Sequence, residues 1–176
     1  MNTDVHNERI AIVGAGMIGT SLAVLCTGNG FSVKMLEPIR SGVSKSIQRY
    51  QNYFQDLIDQ GLVSQAQYEK CVDKLTYVDD YSELADANLV FECVVEDKEV
   101  KFDTYQKIET NCKKLKAIAS STSAFAVDSL AEGVKDKTKI CVAHPWNPPH
   151  LVPCVEIVQG TATSEEMINY VRNILE

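Results

Sequence analysis

The sequence predicts an α/β fold built as a doubly wound, mostly parallel sheet with helices on both faces. Three observations predict it. Short apolar runs alternate with longer stretches whose apolar residues recur every three or four positions, which is the pattern of β-α-β units. Between the first run and the first helical stretch lies Gly14-Ala15-Gly16-Met17-Ile18-Gly19. An acidic residue, Glu37, ends the next run. Strands alternating with helices need cover on both sheet faces, and a glycine turn followed by an acidic strand end marks the Rossmann-type version of that arrangement.

The elements follow in chain order. Residues 9–13 form an apolar run ending in Gly14 and read as a buried strand. Residues 17–27 read as a helix with Ile18, Leu22 and Leu25 at helical spacing, stopped by Gly28-Asn29-Gly30. Residues 31–36 are a second strand. A long helix over 41–60 places Ile47, Tyr50, Phe54, Leu57 and Ile58 on one face, with Gly61 as its stop. Ser64 and Gln67 predict a capping box for a short helix. Strands are expected at 75–78 and 89–95, with a helical turn at 82–85 between them. Residues 97–112 read as a helix with Phe102, Tyr105, Ile108 and Cys112 inward. Strands follow at 117–120 and 139–143. Four prolines make 144–153 an irregular loop. A strand at 155–158 and a helix opened by Ser164, carrying Met167, Val171 and Leu175, complete the order. That helix has no stop signal, so the architecture is expected to continue past Glu176. The 176 residues are taken as one nucleotide-binding domain.

Composition narrows the function classes. A hydrophobic share of 45% with 23% charged residues fits a globular chain. The formal net charge of −7, with no basic run, argues against a nucleic acid or anionic membrane partner. No apolar stretch approaches the length of a spanning helix, and residues 1–9 lack a signal-peptide core. His6 falls in this polar tail, which is expected to be disordered. None of the six cysteines is at C-x-x-C spacing, and most lie in apolar runs, so they read as buried free thiols of a cytoplasmic protein. No metal site is expected.

Three motifs carry chemistry. In the glycine run, Gly14 permits a tight turn, Gly16 lets the backbone approach a pyrophosphate, and Gly19 lets the helix pack closely on the sheet. Met17 and Ile18 open that helix, whose free N–H groups attract phosphate. Glu37 is placed to accept hydrogen bonds from ribose hydroxyls and to repel a 2′-phosphate, which favours NAD. Arg40 nearby leaves NADP open. The second motif runs from Ala143 to Glu156 around His144-Pro145-Trp146-Asn147-Pro148-Pro149-His150. His144, at a strand's C-terminal end, can act as a general acid or base, and the bent loop can return Glu156 to its side. Structural histidine is the alternative. His150 faces either substrate or, preferably, the loop's own packing. Trp146 either covers the cleft or is simply exposed. The third motif, Ser120-Ser121-Thr122-Ser123, either holds a substrate oxygen or the nicotinamide ribose, or caps a helix.

Together with 91–101 (Phe-Glu-Cys-Val-Val-Glu-Asp-Lys-Glu-Val-Lys), these motifs occur in the order seen in one family. The chain resembles the NAD-binding domain of the L-3-hydroxyacyl-CoA dehydrogenases, an oxidoreductase family of fatty acid metabolism. The resemblance implies NAD as cofactor and an acyl-CoA or hydroxy acid as small-molecule substrate. It makes His144 the base for the C3 hydroxyl, with Glu156 orienting it, and Ser123 and Asn147 hydrogen-bonded to the substrate oxygen. It places Glu96, Lys101 and Ser123 on the nicotinamide side of the cofactor. It also implies a helical C-terminal domain that makes the family's dimer and that this chain lacks, so the chain alone is expected to turn over weakly or not at all. Ser121, where the family usually has Asn, and the His-Pro-Trp-Asn-Pro-Pro-His loop resemble the branch of L-gulonate 3-dehydrogenase and lambda-crystallin. That branch acts on free hydroxy acids. A non-catalytic module that keeps its cofactor site is a further alternative.

Overall fold

The computed structural model describes residues 7–176; His6 lies outside them. Seven strands form one sheet: β1 (Ile10–Val13), β2 (Val33–Leu36), β3 (Leu75–Val78), β4 (Leu89–Glu92), β5 (Ala117–Ser120), β6 (Ile140–Pro145) and β7 (Val155–Val158). Their order is β3-β2-β1-β4-β5-β6-β7. Every neighbouring pair is parallel except β6 and β7, which run antiparallel. The chain winds outward one way from β1 through β2 and β3, then returns and winds the other way from β4. The crevice at the C-terminal ends of β1 and β4 is therefore the switch point where such sheets bind ligands.

The helices are α1 (Met17–Gly28), α2 (Val43–Asp59), α3 (Gln65–Val72), α4 (Lys98–Asn111), α5 (Val127–Leu130) and α6 (Glu165–Leu175). The central strands β1, β4 and β5 are buried along their whole length because both sheet faces are covered there. Along β1, Ile10 and Ile12 join a core with Leu22 of α1, Phe54 of α2 and Val171 of α6. Ala11 and Val13 join the opposite core with Tyr105 and Ile108 of α4 and Leu130 of α5. The capping box of α3 is present: Gln67 N–H donates to Ser64 Oγ at 3.3 Å, and Ser64 N–H donates to Gln67 Oε1 at 2.9 Å. Ser164 Oγ accepts from Met167 N–H at the start of α6.

The structure corrects several sequence expectations. β4 stops at Glu92 instead of residue 95, because the chain turns there. Cys93 N–H still reaches the Val13 carbonyl at 2.8 Å, but Val94 N–H donates to the Glu92 carboxylate. β6 extends to Pro145 instead of 143, since pairing with β7 holds His144 and Pro145 in extended backbone. In α2, Ser46 takes the inward position and Ile47 is exposed. The one-turn helix α5 has no amphipathic signature and was not expected. All six cysteines are free, but Cys154 is exposed and Cys93 only half-buried. Among the described residues, no helix is long and apolar enough to cross a membrane.

Candidate active site

The glycine turn between β1 and α1 forms one wall of the switch-point crevice. Gly14 has φ +98, and a Cβ there would overlap the Cys93 carbonyl. A Cβ on Gly19 would overlap the Gly14 carbonyl and press on Ile12. Both are required by the protein's own packing. Gly16 is different: a Cβ there meets nothing within 4 Å. Its bareness keeps the N-terminus of α1 open from outside, and α1 has no side-chain cap to compete for its first N–H groups. A pyrophosphate fits this arrangement.

Glu37 directly follows β2, beside the turn. Its carboxylate accepts from Ala15 N–H at 2.7 Å and from Ile39 N–H at 2.9 Å. The Ala15 carbonyl in turn accepts from Arg49 of α2 at 3.0 Å. Glu37 thus shapes the glycine turn, and its carboxylate has further lone pairs that could accept from a hydroxyl. Arg40 points elsewhere, 3.9 Å from Asp79 on the surface.

The opposite wall is built by the antiparallel pair. Register sets His144 directly across from Glu156. His144 Nδ1 lies 2.9 Å from Glu156 Oε2. A carboxylate only accepts, so Nδ1 carries the proton and Nε2 is the basic nitrogen. Proline-rich loop and edge strand together bring back a residue twelve positions away.

The floor comes from β4 and β5. Glu96 Oε1 accepts from Ser123 N–H at 3.1 Å, and Oε2 accepts from Thr122 Oγ1 at 2.8 Å. Partial burial works to raise the Glu96 carboxyl. The bonds from Thr122 and Ser123, with the Lys101 ammonium at 3.4 Å, outweigh it and hold the group below the usual carboxylate range. Lys101 does not line the cleft as the resemblance implies. Its side chain is 1% exposed and its ammonium sits 2.8 Å from the buried Glu92 carboxylate. Glu92 also accepts from Tyr105 at 2.8 Å and Ser120 at 2.7 Å. Burial and the Glu92 charge push the Tyr105 phenol far up. Lys101 therefore acts from beneath, by holding Glu92 and Glu96.

These walls enclose about 640 Å³. Gly16, Met17, Ile18, Glu96, Ser123, His144, Asn147 and Glu156 all border the space, with Gly14 and Gly19 packed behind. Glu37 lies at the far end of the glycine turn. Trp146 is 53% exposed and borders the cleft, as does Ser121. His150 does not border the cleft, and it packs against Ser21 of α1 and Tyr53 of α2 instead of within its own loop. Cys93, Val94 and Val95 also border the cleft and were missed. Their signal was the place of residues 93–95 just past β4, whose register puts Glu92 beside Val13. Among the described residues, no three His, Cys, Asp or Glu side chains gather to hold a metal.

Known proteins resemble this chain in sequence and in fold. The family profile described as 3-hydroxyacyl-CoA dehydrogenase, NAD binding domain, matches residues 9–176. L-carnitine dehydrogenase of Oceanobacillus iheyensis is 33% identical over 163 residues, covering 92% of this chain and 52% of that protein. 3-Hydroxybutyryl-CoA dehydrogenase of Mycobacterium tuberculosis is 28% identical over 159 residues, covering 90% of this chain and 56% of its own. The crystal structure of Mycobacterium tuberculosis FadB2 superposes with a TM-score of 0.91 at 25% identity, over 96% of this chain and 59% of that one. The chain spans about half the length of these relatives.

Proposed function

Because this chain belongs to the 3-hydroxyacyl-CoA dehydrogenase family as its NAD-binding domain, we propose that it serves the NAD-dependent oxidation of the 3-hydroxyl of a 3-hydroxyacyl-CoA to the 3-keto product. The observation that carries the reading is the His144–Glu156 pair, 2.9 Å apart, bordering the same cleft as the open turn at Gly16. When bound, NAD supplies the acceptor for the hydride. His144 Nε2 takes the hydroxyl proton, and Glu156 holds the ring and stabilises its charged form. Ser123 and Asn147 donate to the substrate oxygen as charge develops on it. Glu96 holds the Ser123 backbone in place and would meet the nicotinamide ribose of a bound NAD. The free thiols support a cytoplasmic setting.

A second reading, a free 3-hydroxy acid as substrate, has its own support. The cleft border holds two carboxylates and an indole but no lysine or arginine among the described residues. A CoA thioester brings several phosphate charges that such a border does not attract. L-carnitine dehydrogenases of Oceanobacillus iheyensis and Bacillus cereus, at 33% and 32% identity, fit this side.

The test is NADH consumption with acetoacetyl-CoA and with free acetoacetate in parallel, beside a direct NADH binding titration. Turnover of the thioester alone supports the first reading, and turnover of the acid alone the second. NADH binding with little or no turnover of either is what the resemblance implies for this stretch alone, whereas turnover that survives His144→Ala overturns the catalytic reading.

A further inference from the structure

The loop between β6 and β7 carries Trp146 and Asn147 to the cleft and returns to Glu156. Its middle is pinned by His150, whose side chain is 2% exposed. Ser21 Oγ of α1 lies 2.6 Å from His150 Nδ1 and also accepts from the His150 backbone N–H at 3.3 Å. Tyr53 of α2 stacks on the imidazole with ring centroids 4.0 Å apart. Nε2 is buried without a hydrogen-bond partner among the described residues and faces Asp56 Oδ2 at 3.9 Å.

These contacts assign the ring's protonation. Ser21 Oγ already accepts the backbone N–H, and its hydroxyl proton goes to Nδ1. A lone pair on Nε2 would face the Asp56 carboxylate and be repelled, whereas an N–H is attracted. The neutral ring with its proton on Nε2 satisfies both. A second proton on Nδ1 would displace the Ser21 hydroxyl proton and bury a charge.

We propose that His150 is a positioning residue that latches the cleft loop onto α1 and α2 only as the neutral imidazole, so that acidification releases Trp146 and Asn147 from the cleft. Asp56 is the charged group facing the ring from α2, with Tyr53 beside it. Arg49, one turn earlier, is engaged by the Ala15 carbonyl. α1 presents Ser21, which does not titrate. Burial pulls the imidazole below its ordinary value of 6.5, and Asp56 opposes this more weakly. The latch is therefore complete above 6.5 and is lost as pH falls through the lowered value.

Trp146 is the chain's single tryptophan, so its emission reports the loop without any need for turnover. The experiment titrates that emission from about pH 8 to about pH 5, across the ordinary histidine range. It uses the His144→Gln chain, which removes the titratable ring two residues away. The expected result is one emission transition below the ordinary histidine value, and its disappearance on adding His150→Gln. If the His150→Gln chain loses its circular dichroism, Ser21→Ala takes its place. That variant is expected to show the released emission already at neutral pH. A transition that survives His150→Gln, emission unmoved by Ser21→Ala, or no transition in the His144→Gln parent would overturn the proposal. Absence of turnover with the transition present bears on the function reading alone.

Discussion

His144 and Glu156 show how one residue's chemistry depends on a neighbour it meets only across a ladder. Twelve positions separate them along the chain, but antiparallel pairing of β6 and β7 sets them face to face. The Nδ1–Oε2 contact leaves Nε2 as the nitrogen that the proposed proton transfer would use. Glu156→Gln keeps the shape and removes the charge that stabilises the protonated ring. Because a hydrogen bond to a charged group is worth roughly 1.5–3 kcal/mol, kcat is expected to fall about 10- to 150-fold. NADH affinity should stay as it was, since Glu156 is not on the glycine-turn wall. Equal losses in affinity and in kcat would show that the carboxylate supports the cleft as a whole.

At the scale of elements, the β1-turn-α1 unit separates glycines needed by the fold from a glycine, Gly16, that the fold itself does not require. Gly19 has no room for a Cβ, because α1 crosses directly over the Gly14 carbonyl. Gly19→Ala should push α1 off the sheet and cost roughly 1–3 kcal/mol in urea unfolding. Gly16 has open space and φ −68, which alanine adopts freely. Gly16→Ala is therefore expected to change stability by less than about 0.5 kcal/mol. NADH binding should nonetheless weaken markedly, because the methyl group enters the path of the phosphates. Destabilisation by Gly16→Ala with unchanged NADH affinity would contradict this division. Helix α2 supplies the other lesson at this scale. The sequence periodicity placed Ile47 inward, yet Ser46 occupies that position and bonds Thr20 of α1 at 3.0 Å and Tyr77 of β3 at 2.8 Å. Apolar spacing alone does not see a polar side chain that finds buried partners.

At the scale of the whole molecule, the Glu92–Lys101 pair ties the centre of the sheet to α4. Glu92 ends β4, Lys101 rises from α4, Ser120 ends β5, and all three are buried. Lys101→Met would leave the Glu92 charge uncompensated in the interior, at a cost of about 3–5 kcal/mol. Adding Glu92→Gln removes the charge while the amide oxygen still accepts from Tyr105 or Ser120, so the double variant should recover most of that loss. The check is the urea midpoint of the three chains at equal slope. A single variant as stable as the parent would mean that water reaches Glu92.

Much of this was legible in the residues. The alternation of strands and helices, the glycine turn, Glu37 directly after β2 and the two motifs around Ser123 and His144 are local patterns. Local geometry is what spacing and side-chain type encode: apolar period decides strand or helix, and glycine decides where backbone can pass. The sequence by itself therefore determined the fold class and most members of the cleft. What it left open were matters of pairing and depth. The resemblance put Lys101 on a cofactor wall, yet a buried acceptor, Glu92, draws it under the floor. His150 had two readings until α1 and α2 were seen to close on it. β4 ends early because Glu92 turns its carboxylate back on Val94 N–H. Each of these was decided only in the tertiary structure, because a buried polar group takes the partner that packing brings within about 3 Å, whatever its distance along the chain.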